Sequence, residues 1–153
     1  MRTLEPWVAA PLETFLAESS ARIVLLMPSA GQVVAQHGFT RSLDVMAAAA
    51  LGAGIIASTS EVARIMGSPQ FGALVHQGGR QGVFLAAFDT PRGRWIGLVA
   101  FGGETSVGLV QLFFDRLAQD LAAAAPAEAP RGPVLAENFE RDLNASLHAL
   151  FGR

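Results

Sequence analysis

Apolar residues recur along this chain in two rhythms, one spaced every three to four positions and one in short unbroken runs. The first opens at the N-terminus. Leu4, Trp7, Val8, Leu12, Phe15 and Leu16 predict a short helix to about Ser19, with Pro11 in its first turn, where a missing N–H sacrifices no bond. "RIVLLMPSAGQVVAQHG" then reads as a strand over 22–27, a turn through Pro28–Gly31 and a strand over 32–37. Ser42 is placed to cap a long helix reaching about Met66, with Asp44 in its first turn and Gly67-Ser68-Pro69 as its stop. Strands are expected at 71–77 and 80–88 around the bend "HQGGRQG", and at Trp95–Phe101 after the turn "DTPRGR". Thr105 or Ser106 caps a further helix carrying Val110, Phe113, Leu117 and Leu121 at helical spacing.

"RIVLLM", "VFLAAF" and "WIGLVAF" are apolar on both faces instead of alternating, so helices must cover both sides of the sheet. The expected fold is an α/β three-layer α-β-α sandwich with a five-stranded, mainly antiparallel sheet, in the order α-β-β-α-β-β-β-α. One domain spans residues 1–125. "AAAAPAEAPRGP" ends its last helix and supplies an Ala/Pro linker over 126–133. An appended amphipathic helix over 134–153 carries Leu135, Phe139, Leu143, Leu147 and Phe151 on one stripe, and no internal repeat is present.

The long helix has too little polar surface for the outside of a monomer, being apolar nearly all round from Leu43 to Ser58 after Asp44. Leu43, Ala47, Ala50, Gly54 and Ala57 form a seam of mostly small residues, and the larger Leu51, Ile55 and Val62 lie on a different side. One face can cover the sheet while the seam lets another backbone approach closely. Leaving it in water forfeits several kcal/mol at about 25 cal/mol per Å². A second copy of the chain is expected to cover it; the competing cover is the N- or C-terminal helix of the same chain.

Composition removes several classes of chemistry. The chain has 153 residues, 51% of them hydrophobic and 16% charged, enough for one substantial core. There is no cysteine, which removes disulfides, thiolate nucleophiles and cysteine-ligated zinc. All 11 basic residues are arginine, so neither a Schiff base nor a P-loop lysine is available. Scattered arginines with a net charge of −2 make no stripe for nucleic acid. The longest apolar run, Val45 to Ala57, is shorter than the roughly 18 to 20 residues of a membrane span. The N-terminus lacks a basic-then-apolar signal pattern, so a cytoplasmic protein without membrane insertion is expected.

No catalytic set stands out. His37, His76 and His148 are distant in sequence with no metal-ligand spacing, and no G-x-S-x-G elbow occurs. Gly52 and Gly54 lie inside a helix, which is no dinucleotide fingerprint. Gly78 and Gly79 fit the positive φ angles of a tight hairpin turn, and the chain continues into a strand where a phosphate nest would lead into a helix. No cofactor, metal or catalytic residue is assigned, and the chain is not expected to be an enzyme.

"IVLLMPSAGQVVAQHG", "DVMAAAALGAGIIASTSEVARIMG", "FGALVHQGGRQGVFLAAF" and "GLVQLFFDRL" together resemble the Roadblock/dynein light chain family, and within it the bacterial MglB-type regulators of small Ras-like GTPases. The resemblance covers roughly residues 5–122. It implies a homodimer built through the long helix and the third strand, here Leu43–Met66 and Phe71–Gln77. Leu43, Ala47, Ala50, Gly54, Ala57, Phe71, Leu74 and His76 are then the expected interface. It also implies binding to a Ras-like GTPase, as an activator of GTP hydrolysis or as a scaffold, with Arg41 and Arg80 in turns as candidates for partner binding. An alternative is a small-ligand sensory module of profilin or PAS-like type, which requires an internal pocket. A hydrolase comes third.

Overall fold

Strands that are apolar on both faces require cover on both, and the sheet is built that way. The structure is a computed structural model describing residues 2–3, 5–29, 32–38, 44–69 and 72–126. In chain order it contains β1 (Arg2–Thr3), a 3₁₀ turn (Pro6–Val8), α1 (Ala9–Ser19), β2 (Ile23–Pro28), β3 (Ala35–Gly38), α2 (Val45–Ile65), β4 (Ala73–Gln77), β5 (Gly82–Thr90), β6 (Gly93–Phe101) and α3 (Val107–Ala124). The strands lie in the order β1-β3-β2-β6-β5-β4, each described pair antiparallel.

Register separates the side chains into two cores. Val24, Val99, Phe84 and Val75 are cross-strand partners in one row, and Leu25, Leu98, Leu85 and Leu74 form the next. Neighbouring rows face opposite sides because side chains alternate along a strand. The first side packs against Leu12 and Phe15 of α1 and Val110, Phe114, Leu117 and Leu121 of α3. Phe114 is its centre, with ring centroids 5.1 Å from Phe84, 5.4 Å from Phe88 and 6.1 Å from Phe15. Gly97 makes room for that ring, since a Cβ there would collide with its edge.

On the other side, α2 lies over Ile23, Leu25, Met27, Leu85, Ile96 and Leu98 through Ala49 and Ala53. Gly52 sets the closeness of that approach. A Cβ on it would sit 3.2 Å from Leu98 Cδ1 and 3.3 Å from Leu85 Cδ2.

The three-layer arrangement agrees with the pattern, and several details differ. The sheet has six strands, with β1 added at the edge of β3 through Arg2↔Gln36 and Thr3↔Ala35. Two residues are too few to show any period. β3 starts at Ala35, so the turn after β2 is longer than expected. At the N-terminus the 3₁₀ turn takes Pro6 in its first turn, and Pro11 falls in the first turn of α1 that follows. Asp44 caps α2, accepting from the Ala47 N–H at 3.1 Å; Ser42 lies outside the described residues. Ser106 caps α3 through the Leu109 N–H at 3.3 Å. Phe114, and not Phe113, is the buried aromatic of that helix.

α2 also runs further than its purely apolar stretch. Its 21 residues include an 18-residue stretch with a mean hydropathy of 1.5, so it is long and apolar enough to cross a membrane by length and composition, yet it packs as a layer on the sheet. The linker expected at 126–133, Pro126 apart, and the helix expected at 134–153 lie outside the described residues.

The cap gives a direct test. Asp44→Ala should lower unfolding free energy by about 1 kcal/mol in urea titration. Asp44→Asn should keep most of it, because the amide oxygen still accepts from the Ala47 N–H.

Candidate interaction surface

An α-helix that meets a sheet along one side presents the opposite side outward, and in α2 that outward side is apolar too. Ala47, Ala50, Gly54 and Ala57 are all exposed there, and nothing lies within 4 Å of a Cβ built on Gly54. The larger residues flank this seam. Met46 is 82% exposed, Leu51 68% and Ile65 73%, with Ile55, Val62 and Met66 exposed as well. Leu51, Ile55 and Val62 therefore do not cover the sheet. The small Ala49, Gly52, Ala53 and Ala63 do, and with half-buried Ile56 they bring the helix backbone close to the strands.

Several polar groups on this helix bond within it. Ser58 Oγ donates to the Gly54 carbonyl at 2.8 Å and Thr59 Oγ1 to the Ile56 carbonyl at 3.0 Å. Such bonds let hydroxyls sit at an apolar face without needing water. Toward the C-terminus, Arg64 Nε donates to Glu61 Oε1 at 3.0 Å, and the guanidinium holds the Glu61 carboxyl below its ordinary range. The same bond raises the Arg64 pKa. This exposed pair is a solvated edge and carries little stability.

β4 is the outermost described strand beside β5, and its other edge pairs with no described strand. Unpaired N–H and C=O groups along such an edge can add a further strand. Leu74 is half-buried on the α2 side, and His76 is exposed. The bend after it is a hairpin connection, closed by the Gly78 N–H donating to the Gln81 carbonyl at 2.7 Å. Its glycines work differently from expectation. Positive φ occurs at Gly38, Gly67 and Gly93 among the described glycines, and not at Gly78 or Gly79. A four-residue connection supplies the reversal that a two-glycine turn would need positive φ to make. Arg80 is exposed in this connection.

Leu43, Phe71 and Arg41 lie outside the described residues, so the structure gathers Ala47, Ala50, Gly54 and Ala57 on α2 and places Leu74 and His76 on β4. Met46, Ile65 and Met66 join the surface without having been read from the sequence. Met46 lies within the stretch that is apolar all round, whereas Ile65 and Met66 follow the polar Thr59, Ser60, Glu61 and Arg64, where the pattern gave no such signal. His37 and His76 sit on β3 and β4, separated by β2, β6 and β5. Among the described residues no group of three or more His, Cys, Asp or Glu could hold a metal ion. An open groove of about 760 Å³ runs between the β1–β3 edge and the start of α2, lined in part by Arg2, Thr3, Val33, Asp44, Met46 and Ala50. It borders the exposed face, and buried Ala35 is part of its lining.

Comparison with solved structures finds the same architecture elsewhere. Myxococcus xanthus MglB is similar with a TM-score of 0.69 and 25% identity, covering 76% of this chain and 92% of that one. The gliding protein MglB of Thermus thermophilus is similar with a TM-score of 0.69 and 28% identity, over 78% of this chain and 89% of that one. A Roadblock/LC7 domain from Streptomyces avermitilis shares the fold at a TM-score of 0.62 and 16% identity, over 77% of this chain and 93% of its own. No protein-family model and no curated protein matches the chain.

Proposed function

Because the chain has a Roadblock-family fold of the MglB kind, we propose that it is a homodimeric regulator of a small Ras-like GTPase, acting in the cytoplasm. The observation that carries the reading is the outward face of α2, where Met46, Leu51 and Ile65 flank a seam of alanines and Gly54. So much contiguous apolar surface marks an interaction site. The seam brings two α2 helices together, and the edge of β4 that pairs with no described strand lies on the same protomer for pairing between copies.

The regulator itself supplies no cofactor in this scheme. It binds the GTPase and reorders that partner's own catalytic groups. Arg80 is the described arginine to weigh against this, since it is exposed at the tip of the β4–β5 hairpin. An arginine finger there would make Arg80→Ala lose about 10³-fold or more of the stimulated rate, whereas reordering of the GTPase's groups predicts a loss under about tenfold. Light scattering should give twice the 16.0 kDa chain mass at micromolar concentration. A cognate GTPase loaded with a GTP analogue should co-elute with the dimer and turn over GTP faster in its presence. Failure against every Ras-like GTPase of the source organism rejects the regulatory role.

A further inference from the structure

Val110, Phe114, Leu117 and Leu121 give α3 one buried side, yet two more large apolar side chains of that helix stay out of the core. Leu109 is 46% exposed and Leu112 60%, one helical turn apart. Half-buried Phe113 adjoins them and continues the apolar surface toward α1. Around this patch the charge is one-sided. α1 and α3 expose Glu13, Glu18, Asp115 and Asp120 against a single arginine, Arg116, whose guanidinium lies 3.6 Å from Glu18. Asp115 and Arg116 both follow Leu112 by one turn, so the carboxylates of Asp115 and Glu18 border the patch. The rest of the described chain carries six arginines against five carboxylates, so its negative charge is gathered on this layer.

We propose that the outer face of α3 docks a basic amphipathic helix of another protein. Its apolar stripe lies on Leu109, Leu112 and Phe113, and its lysines or arginines meet Asp115, Glu18 and Asp120. Anchors one turn apart on a helix are matched by a second helix with the same spacing. The charge selects among occupants. Anionic lipid and nucleic acid are repelled by the carboxylates. A second copy presenting this same face would set like charge against like. Residues 127–153 of the chain carry Glu128, Glu137, Glu140 and Asp142 against Arg131, Arg141 and Arg153, so they have no excess of positive charge to offer. α3 and α2 cover opposite faces of the sheet. This site therefore does not rest on the GTPase reading, and it can be filled while α2 pairs with a second copy.

A photoreactive benzophenone side chain in place of exposed Gln119, seven residues beyond Leu112 on the same face, tests this in cells of the source organism. Mass spectrometry of the adduct should identify a segment of another protein with apolar residues at helical spacing and a net positive charge. Leu109→Ser with Leu112→Ser should cut the adduct yield at least about tenfold by removing the apolar anchors. Asp115→Asn with Asp120→Asn should cut it about as much by removing the charges that select the partner. All four side chains are exposed, so thermal unfolding of both variants should stay close to that of the natural chain. No adduct at all overturns the proposal, as does one with a second copy, with residues 127–153, or with a segment that is uncharged or acidic. An adduct that survives either pair of substitutions also overturns it. Gly54→Arg, on the far side of the sheet, should leave the adduct unchanged; its loss would tie the site to the α2 face and overturn a separate partner.

Discussion

Gly54→Arg should yield a folded monomer. Gly54 sits at the middle of the exposed seam of α2, and a Cβ added there meets nothing within 4 Å in the single chain. Within one protomer the change is favourable: arginine is a better helix former than glycine in a helix interior by roughly 0.5–1 kcal/mol. Between two protomers it is not, because a guanidinium would occupy the closest approach of the helices and lose its water. Overpacking and an unpaired buried charge together should weaken association at least about 100-fold, near 2.7 kcal/mol. Sedimentation or light scattering reads the mass, and thermal unfolding of the monomer reads the fold. Retention of a tight dimer would place the interface away from α2 and remove the main support for the proposed assembly.

Phe114→Ala should be the most damaging substitution in the protein's own core, costing about 3–5 kcal/mol in denaturant unfolding. The ring touches Phe15, Phe84 and Phe88 and fills the space left by the missing side chain of Gly97. Its removal opens a cavity bounded by α1, α3 and the sheet at once, so no single element can relax to close it. Against a total stability typically near 5–15 kcal/mol, that loss brings the chain close to unfolding. Phe113→Ala is the control. Its ring is only half-buried at the margin of α1, and its loss should be less than half as large. Equal effects at the two positions would mean that the α1–α3 layer is packed differently.

Those two residues also show where sequence reasoning stopped. Adjacent phenylalanines on a helix lie about 100° apart, and either fits a spacing of three or four with Val110 and Leu117. Only the position of α1 beside α3 decides which one reaches the sheet. β1 was invisible for a different reason, since a two-residue strand exists by pairing with Gln36 and Ala35 and has no pattern of its own. The α2 cap was readable to within two residues, because Ser42 and Asp44 are both good capping residues and the choice rests on local geometry. The seam residues Ala47, Ala50, Gly54 and Ala57 were legible because an apolar helix with small residues at regular spacing already implies close approach by something. What was not legible was which side of that helix the sheet would take.

Taken alone, the sequence determined the layers: strands apolar on both faces demand helices on both sides, and turn and capping residues divide the chain between them. These are local properties, carried by neighbours a few residues apart. The phase of α2 was decided only in the tertiary structure. A helix that is apolar all round has no preferred side by hydrophobicity. Steric fit chose one, seating Ala49, Gly52 and Ala53 against Leu85, Leu98 and Ile96, which a larger side chain at Gly52 would hold off. Packing the small residues inward turned Met46, Leu51 and Ile65 outward. An uncommitted apolar helix thereby became an outward-facing surface suited to a partner.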